Sequence, residues 1–374
     1  MSWTSQTLDQ LGYLSRGRSR HRPRDAVHLY GGPYPFIQTG DVKHAGLYVR
    51  DYQQTYSEAG LQQSSLWPAG TLCITIAANI ADTAILGIDA CFPDSVIGFI
   101  PDEKKADARF VKYLFDATIQ QRVKQFTQGA AQDNLSQEKL LSIDFSVPNV
   151  DEQKRIASIL SAYDDLIENN RRRIHLLEQA ARLLYKEWFV HLRFPGHEHA
   201  KIKDGVPEGW EKKQIGELAP FKYGKALKED DRIPGPYPVY GSSGIVGTHD
   251  KALVAGTAII VGRKGNVGSV YWSKIDFHPI DTVYYIEAEN SSLYLYYALL
   301  HTQFNSTDVA VPGLNRGYAH SRTVLVPDDK IINLFEQHSE VIHDQVERLV
   351  KQSQVLTKAR DLLLPRLMNG EVAI

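Results

Sequence analysis

Two long stretches of the sequence place apolar residues at alternating intervals of four and three, the spacing of a helix that packs along one face. Neither stretch contains glycine, and charged residues fill many of the other positions. The pattern predicts two long helices that pair as an antiparallel coiled coil, the second ending at Pro365. The stripe positions are Ile156, Leu160, Tyr163, Ile167, Asn170, Ile174, Leu177, Ala181 and Leu184 in the first stretch, and Phe335, Ser339, Ile342, Val346, Leu349, Ser353, Leu356, Arg360 and Leu363 in the second.

Asn170 is a polar residue inside the first stripe. A buried amide at such a position sets the register of paired helices at some cost in stability, and the alternative is that Asn170 faces outward. A single stripe is equally typical of a helix packed on its own domain. The prediction of paired helices therefore depends on the stripe occurring twice, in matching surroundings.

Matching segments of sequence before the two stretches indicate a tandem duplication. Phe145-Ser-Val-Pro148 precedes the first stretch and Val324-Leu-Val-Pro327 the second, while Gly32-Pro-Tyr-Pro35 recurs as Gly235-Pro-Tyr-Pro238. Each copy is one globular domain followed by one long helix, which gives an approximate two-fold relation. Short β-branched runs between glycines and prolines predict α+β domains with irregular, mostly antiparallel sheets. The predicted boundaries are 1–148 and 207–327 for the domains, 149–192 and 328–374 for the helices, and 193–206 for the linker.

Composition excludes several classes of protein. The 42 Lys and Arg residues nearly balance 44 Asp and Glu residues, so the chain as a whole is not basic. The most apolar stretch, residues 71–92, contains Asp82 and Asp89, which exclude a membrane span. Cys73 and Cys91 are the only cysteines and the first residues do not resemble a secretion signal. We therefore expect a protein of the reducing cytoplasm.

Motifs of catalysis are mostly absent. The sequence has no phosphate-binding Gly-x-x-x-x-Gly-Lys, no His-Glu-x-x-His, and no Pro-Pro dipeptide of the kind an amino-methyltransferase motif requires. One candidate is Asp94 followed by Glu103 and Lys105, a pattern similar to the Mg²⁺-binding core of many nucleases. The second domain has no counterpart, and the alternative is a strand over residues 95–100 that ends in a charged turn. A stand-alone nuclease is the second hypothesis for function.

Basic residues cluster locally although the whole chain is not basic. Arginine and lysine grip phosphates, and together with asparagine they read base edges. A solvated arginine-rich loop is the alternative for the first cluster. The candidate DNA-contacting residues are Arg16, Arg18, Arg20, Arg22 and Arg24 in the first domain, and Lys222, Lys225, Lys228, Arg263, Lys264, Asn266, Arg316, Tyr318, His320 and Arg322 in the second.

Four segments resemble the specificity subunits of type I restriction-modification enzymes, and the resemblance covers nearly the whole chain. It implies that the domains are target recognition domains spaced by the helices. The segments are Ala131-Gln-Asp-Asn-Leu-Ser-Gln-Glu-Lys-Leu140 leading to Val147-Pro148, Glu152-Gln-Lys-Arg-Ile-Ala-Ser-Ile-Leu160, Glu187-Trp-Phe189 with Phe194-Pro-Gly196, and Pro207-Glu-Gly-Trp210.

The resemblance further implies a non-catalytic subunit that reads a bipartite, asymmetric site on double-stranded DNA. The implied partners are two methyltransferase subunits, which methylate adenine with S-adenosylmethionine, and two motor-nuclease restriction subunits. ATP and Mg²⁺ belong to these partners, and this chain itself is expected to bind no cofactor or metal. The first domain departs from the second because it begins at Trp3 without Pro-Glu-Gly-Trp. It also has Ile76-Ala-Ala-Asn79 where the second has Gly262-Arg-Lys-Gly265.

Overall fold

The computed structural model describes residues 3–21, 23–77, 80–120, 137–302, 304 and 313–372. Of the features predicted above, Arg22, Asn79 and the segment 131–136 lie outside these residues. The chain divides into two compact units. Unit 1 comprises Met1–Arg172 and Leu349–Ile374, and unit 2 comprises Arg173–Arg348.

Short strands and short helices alternate until each unit reaches a long helix. The strands are β1 (Thr4–Gln6), β2 (Gly12–Arg16), β3 (Tyr30–Phe36), β4 (Tyr48–Val49), β5 (Gln54–Tyr56), β6 (Leu66–Trp67), β7 (Leu72–Thr75), β8 (Thr83–Leu86), β9 (Ala90–Cys91), β10 (Val96–Pro101), β11 (Phe145–Val147), β12 (Ile202–Lys203), β13 (Val206–Pro207), β14 (Glu211–Gln214), β15 (Lys222–Tyr223), β16 (Tyr237–Gly241), β17 (Gly244–His249), β18 (Ala258–Gly262), β19 (Val270–Ser273), β20 (His278–Pro279), β21 (Val283–Ile286) and β22 (Thr323–Val326). The helices are α1 (Leu8–Leu11), α2 (Thr39–His44), α3 (Glu58–Gln62), α4 (Ala108–Phe115), α5 (Gln137–Leu141), α6 (Val150–Tyr185), α7 (Ile215–Leu218), α8 (Leu293–Thr302), α9 (Arg316–Ser321) and α10 (Asp329–Met368).

The globular part of unit 1 is built on two sheets. One has the order β2-β10-β7-β8-β4 and the other β5-β3-β9-β6. The pairs β3–β9 and β4–β8 are parallel, and the other pairs within these sheets are antiparallel. The first sheet is nearly continuous in apolar residues, and β7 and β8 are buried at every position because α4 covers one of its faces.

The globular part of unit 2 repeats this topology. Its sheets have the orders β15-β21-β18-β19 and β17-β16-β20. Matched in chain order, they correspond to β2-β10-β7-β8 and β5-β3-β9 of unit 1, including a parallel pair, β16–β20, in the second sheet. The two copies therefore have the same strand order as well as matching sequence segments, and the predicted α+β duplication describes both.

The strand that precedes each long helix pairs with a strand near the start of its own globular part. β11 pairs antiparallel with β1, and β22 pairs antiparallel with β14. Pro148 and Pro327 then end the strands, and a side chain caps each helix. The Asn149 side chain accepts the Glu152 N–H at 3.0 Å, and Asp328 accepts the Ile331 N–H at 3.1 Å. The helix starts thus lie where the repeated Val-Pro segments predicted them.

The helix ends differ in part from the prediction. α6 continues to Tyr185 and is followed by a π-helical turn, Lys186–Val190. The expectation that α10 stops at Pro365 is wrong, because the helix continues through this proline to Met368. Proline removes one intrahelical hydrogen bond. Here the loss falls in the last turn, where burial of Leu367 and Met368 in the unit 1 core stabilises the continued helix.

On both long helices the stripe positions are the ones shielded from solvent. All nine on α6 and all nine on α10 are buried or half-buried, whereas most of their neighbours are exposed. Asn170 is only 6% exposed, so the amide is buried and does not face outward. Both helices therefore bury the face that the four-three spacing predicted.

A polar network joins the globular part of unit 1 to its long-helix segments. The Tyr113 hydroxyl of α4 donates to Asp164 of α6, and Arg360 of α10 forms an ion pair with the same carboxylate. Asp164 is 8% exposed. Burial opposes the charge of Arg360, but the carboxylates of Asp164 and Asp361 outweigh it and raise the pKa of Arg360. The network holds three elements together at one buried carboxylate.

Unit 2 makes the corresponding joint with aromatic rings. Phe335 of α10 is fully buried and has ring contacts with Tyr185, Trp188 and Phe189. On α8 the Tyr297 hydroxyl lies 2.8 Å from Nε2 of His343 on α10. Burial first, and then nearby Lys274, lower the pKa of His343 to about 4. A neutral histidine therefore occupies a place analogous to that of Asp164 in unit 1.

Removing one partner of the buried ion pair is expected to destabilise unit 1 strongly. Arg360→Met leaves the Asp164 carboxylate buried without its cation, which costs about 3–5 kcal/mol. The apolar triple variant Tyr113→Phe/Asp164→Leu/Arg360→Met should lose much less, because no polar group remains unpaired. Denaturant unfolding measures both. The control is Arg172→Gln, which breaks the exposed ion pair with Glu168 and should cost less than about 1 kcal/mol. If Arg360→Met loses no more stability than this control, the network does not have the proposed role.

The low pKa of His343 predicts a pH-dependent stability of unit 2. An unfolded histidine has a pKa of about 6.5, so between pH 6.5 and 4 the unfolded chain binds more protons than the folded one. The stabilising contribution of neutral His343 is present above pH 6.5 and is lost as the pH falls toward 4, on the order of 3 kcal/mol in all. Unfolding followed across this range should show a shallower pH dependence in His343→Gln than in the wild type. His338→Gln, at an exposed position of the same helix, is the control and should retain the wild-type slope.

Candidate nucleic-acid interface

The β18–β19 hairpin loop of unit 2 is held in place by backbone hydrogen bonds. The N–H groups of Arg263 and Lys264 donate to the Thr282 carbonyl at 2.9 and 3.1 Å. The Arg263 carbonyl accepts the Leu314 N–H at 2.8 Å. Gly265 and Gly268 have φ values of +78° and +76°, a conformation that glycine adopts without strain. The loop therefore presents Arg263, Lys264 and Asn266 from a fixed backbone.

Tyr223 brings together two of the predicted arginines. It ends β15, and 49% of its surface is exposed. The guanidinium carbon of Arg263 lies 5.1 Å from the centre of the Tyr223 ring, and that of Arg316 lies 5.0 Å from it. These distances are typical of cation–π contacts. Residues from β15, the hairpin loop and the start of α9 thus meet at one surface, which we name the Tyr223 cluster (Tyr223, Arg263 and Arg316).

A buried tyrosine supports the cluster from below. The Tyr284 ring lies 5.1 Å from that of Tyr223, and its hydroxyl donates to the Leu314 carbonyl at 2.8 Å. Burial raises the pKa of Tyr284, so its hydroxyl remains protonated and able to donate. Arg263 is also fixed through its Nη1, which donates to the Asp281 carbonyl at 3.0 Å.

The other predicted residues, on α9 and directly after it, differ in whether contacts within the protein already engage their side chains. Nε2 of His320 accepts the Phe221 N–H at 2.9 Å, and burial, followed by nearby Arg316, lowers the His320 pKa. That nitrogen is therefore engaged in a hydrogen bond within the protein. The Arg322 guanidinium is exposed and lies 5.8 Å from the centre of the Tyr318 ring.

The four lysines predicted in unit 2 have different surroundings. Lys222 forms an ion pair with Glu287, which offsets its charge. Lys228 is exposed but precedes three consecutive carboxylates at residues 229–231. Lys225 is exposed, and its N–H donates to the Pro279 carbonyl at 2.9 Å. In the described part of unit 2, neither Lys225 nor Lys264 forms an ion pair with a carboxylate, so no ion pair offsets their positive charge.

Alternation places the arginines of unit 1 on one side of the chain. Arg16, Arg18 and Arg20 are exposed, whereas Gly17 and Ser19 between them are buried. A Cβ atom at Gly17 would lie 2.3 Å from the Phe92 carbonyl oxygen, so only glycine fits the inward position. The Gly17 and Arg18 N–H groups donate to Val96 and Phe92, which fixes this extended segment. Among the described residues, no carboxylate forms an ion pair with the three arginines.

Arg24 is different, because both oxygens of Asp94 accept from its Nη2 at 2.9 and 3.0 Å. Its charge is already paired within the domain. The same contact engages Asp94, which the nuclease hypothesis requires as a metal ligand. Asp94 precedes β10 and Glu103 follows it, so a strand about 20 Å long separates the two residues in the chain. Lys105 pairs with Asp102 at 3.6 Å. The structure thus contradicts a shared Mg²⁺ site and supports the strand and charged turn.

Two further findings concern the described residues as a whole. Their His, Cys, Asp and Glu side chains form no group of three or more that is able to hold a metal ion. Among the helices so described, none combines the length and the apolar character that crossing a membrane requires. The residue that sequence reasoning missed is Tyr223, whose only signal was its position beside Lys222.

Comparison with known proteins agrees with the resemblance seen in the sequence. The family model "Type I restriction modification DNA specificity domain" matches residues 2–179 and 207–322. The MjaIX specificity subunit of Methanocaldococcus jannaschii is 24% identical over 100% of this chain and 94% of its own length. The HindI specificity subunit of Haemophilus influenzae is 22% identical over 97% and 98%. In fold, the chain is similar to the type I S subunit of M. genitalium, with a TM-score of 0.60, 20% identity and coverage of 98% and 96%. With two matches that together span most of its length, the chain belongs to the family of type I restriction-modification specificity subunits.

Proposed function

We propose that the chain reads a split, asymmetric sequence on double-stranded DNA for a type I restriction-modification complex. Residues 1–148 and 207–327 act as two target recognition domains, and each contacts one half-site. The observation that carries the proposal is one strand order bearing two different sets of exposed cations. In unit 2 the hairpin loop after β18 carries Arg263 and Lys264, whereas residues 76–82 of unit 1 contain no lysine or arginine. One scaffold with two different surfaces is suited to reading two different half-sites.

The exposed arginines 16, 18 and 20 contact phosphates in this proposal, and so do Lys225 and Lys264. Phosphate contacts fix the position of a protein on the duplex, while base-edge contacts select the sequence. Exposed cations without carboxylate partners are the residues best able to replace the counterions of DNA. Arg24, Lys222 and Lys228 contribute less because neighbouring carboxylates offset their charge.

The long helices space the two domains by pairing as an antiparallel coiled coil. In such a pair, residue numbers run in opposite directions along the two helices. Two contacts support this arrangement, since Asp164 meets Arg360 in unit 1 and Phe189 meets Phe335 in unit 2. The covered stripe on each helix supplies the seam. The buried amide of Asn170 then favours one register over others.

The partner subunits provide the chemistry. The family's specificity subunits are not catalytic, so two methyltransferase subunits with S-adenosylmethionine and two ATP-dependent restriction subunits with Mg²⁺ complete the complex. Apolar side chains on the outer face of the long helices support protein docking there, because a helix in water usually exposes polar groups. Buried Cys73 and Cys91, which form no disulfide, suit the cytoplasm as the location. The exposed apolar residues are Ile159, Leu166, Leu176 and Leu183 on α6, and Val341, Val350, Val355 and Leu362 on α10.

The first test concerns phosphate contacts. Arg16→Gln/Arg18→Gln should weaken DNA binding and reduce the slope of log K against log salt by about 0.9 for each lost contact. Titrations of the full-length chain with duplex DNA at several salt concentrations measure this slope. The matched control is Arg24→Gln/Asp94→Asn, which removes an existing ion pair without changing net charge and should leave the slope unchanged. If the arginine variant keeps the wild-type slope, this segment is a solvated loop and does not contact the phosphates.

The second test concerns the helices as a spacer. Inserting one heptad after Asn170 and another after Ser353 preserves the apolar stripe and lengthens the pair by about 10 Å. DNA rises about 3.4 Å per base pair, so the gap between the half-sites should lengthen by about three base pairs. The positions of methylated adenines in cells that carry the complex report the gap. The same heptads placed in the linker, residues 193–206, should leave the gap unchanged, and methylation at the original spacing by the helix variant contradicts the proposal.

A further inference from the structure

We infer that the Tyr223 cluster is a base-reading site of the second recognition domain and that the base it reads is guanine. This inference rests on the proposed function and adds to it one specificity-determining site and the base that the site selects. Tyr223 is the positioning residue, while Arg263 and Arg316 supply the hydrogen-bond donors.

The orientation of Arg263 is fixed before any ligand binds. Its backbone is bonded on both sides, to Thr282 and Leu314, and its Nη1 donates to the Asp281 carbonyl. The guanidinium carbon lies 5.1 Å from the Tyr223 ring centre and 5.8 Å from that of Tyr284. A planar group held by a ring on its face offers its remaining N–H donors along its edge. Donors held in this way discriminate between bases, because an incorrect pattern of acceptors cannot be met by rotating the side chain.

The cluster contains two cations and no carboxylate. Arg263 and Arg316 both lie about 5 Å from one ring, so their charges repel each other. Within the described residues, neither guanidinium forms an ion pair with a carboxylate. The Glu287 carboxylate forms an ion pair with Lys222, the residue before Tyr223. Two guanidinium groups at one exposed ring are therefore complementary to a ligand rich in acceptors.

Guanine is the base whose major-groove edge matches these donors. It presents two adjacent acceptors, O6 and N7, to which one arginine donates two hydrogen bonds. Adenine presents one acceptor beside a donor, and cytosine presents a donor, whereas a guanidinium group has donors only. A phosphate also accepts two hydrogen bonds from arginine, but it offers the same acceptors at every position of the duplex and carries no sequence information. Donors that Tyr223, Tyr284 and Asp281 hold in one orientation are suited to selecting a base, and the variants below separate a base contact from a phosphate contact.

The sequence of unit 1 lacks the arginine of this hairpin loop. The hairpin loop between β7 and β8 occupies the corresponding place in the strand order, and residues 76–82 there contain no arginine or lysine. The effect of removing the cluster should therefore be confined to one of the two half-sites. This asymmetry separates a base reader from a general loss of DNA affinity.

The test measures base preference position by position. The full-length chain is bound to pools of duplex DNA in which each position of its wild-type target is varied. Arg263→Lys and Arg316→Lys keep the positive charge but lose the planar fork of donors. Each should reduce the preference for guanine at one or two positions of a single half-site by about ten- to a hundredfold. The slope of log K against log salt should remain that of the wild type, because the charge is retained.

Tyr223 gives the matched pair of variants. Tyr223→Phe keeps the aromatic ring and should keep the guanine preference, whereas Tyr223→Leu should lose part of it at the same positions. Thermal unfolding checks that each variant is folded. If Tyr223→Leu does not fold, the two lysine variants decide the test. Unchanged preference in both lysine variants, or an equal loss of affinity for every sequence, overturns the inference. A wild-type target without guanine in either half-site also overturns it and leaves the proposed function intact, whereas a wild-type chain without any sequence preference overturns both.

Discussion

The structure depends on the need of each long helix to cover one apolar face. Helices of 36 and 40 residues with largely polar outer surfaces derive most of their stability from packing and little from local propensity. In unit 1 the globular part contacts this face through Tyr113, which reaches Asp164 and, through it, Arg360. In unit 2 aromatic rings that pack around Phe335 make the corresponding contact. Within each unit the globular part and the helix segments therefore share one hydrophobic core.

The two joints show how a duplicated scaffold diverges without losing its topology. One joint is centred on a buried carboxylate that needs both a hydroxyl donor and a guanidinium group. The other pairs Tyr297 with a histidine that burial keeps neutral. A buried ion pair gives little net stability compared with apolar packing, but it penalises any arrangement that separates its members. The recognition surfaces have diverged further, because exposed residues are not constrained by packing.

The exposed surfaces were only partly predictable from the sequence. Alternation of arginine with Gly17 and Ser19 follows the two-residue period of an extended chain, so the common side of Arg16, Arg18 and Arg20 could be anticipated. The pairing of Arg24 with Asp94 could not, because the two residues are 70 positions apart. Tyr223 was missed for the same reason, since its arginine neighbours come from distant segments of the chain. His320 was predicted to face DNA, yet one of its nitrogens bonds the backbone of Phe221.

The sequence by itself determined the duplication, the class of fold, the two long helices and the face that each helix covers. These features follow from local periodicity and from segments that recur in order, which need no knowledge of distant contacts. Only the tertiary structure decided that α10 continues past Pro365, that Asp164 is shared by Tyr113 and Arg360, and that two arginines meet at Tyr223. Burial of Leu367 and Met368 outweighs the hydrogen bond that proline removes, and ion pairs or ring contacts require groups to be close in space. Such proximity is a property of the folded chain and is not encoded in residue spacing.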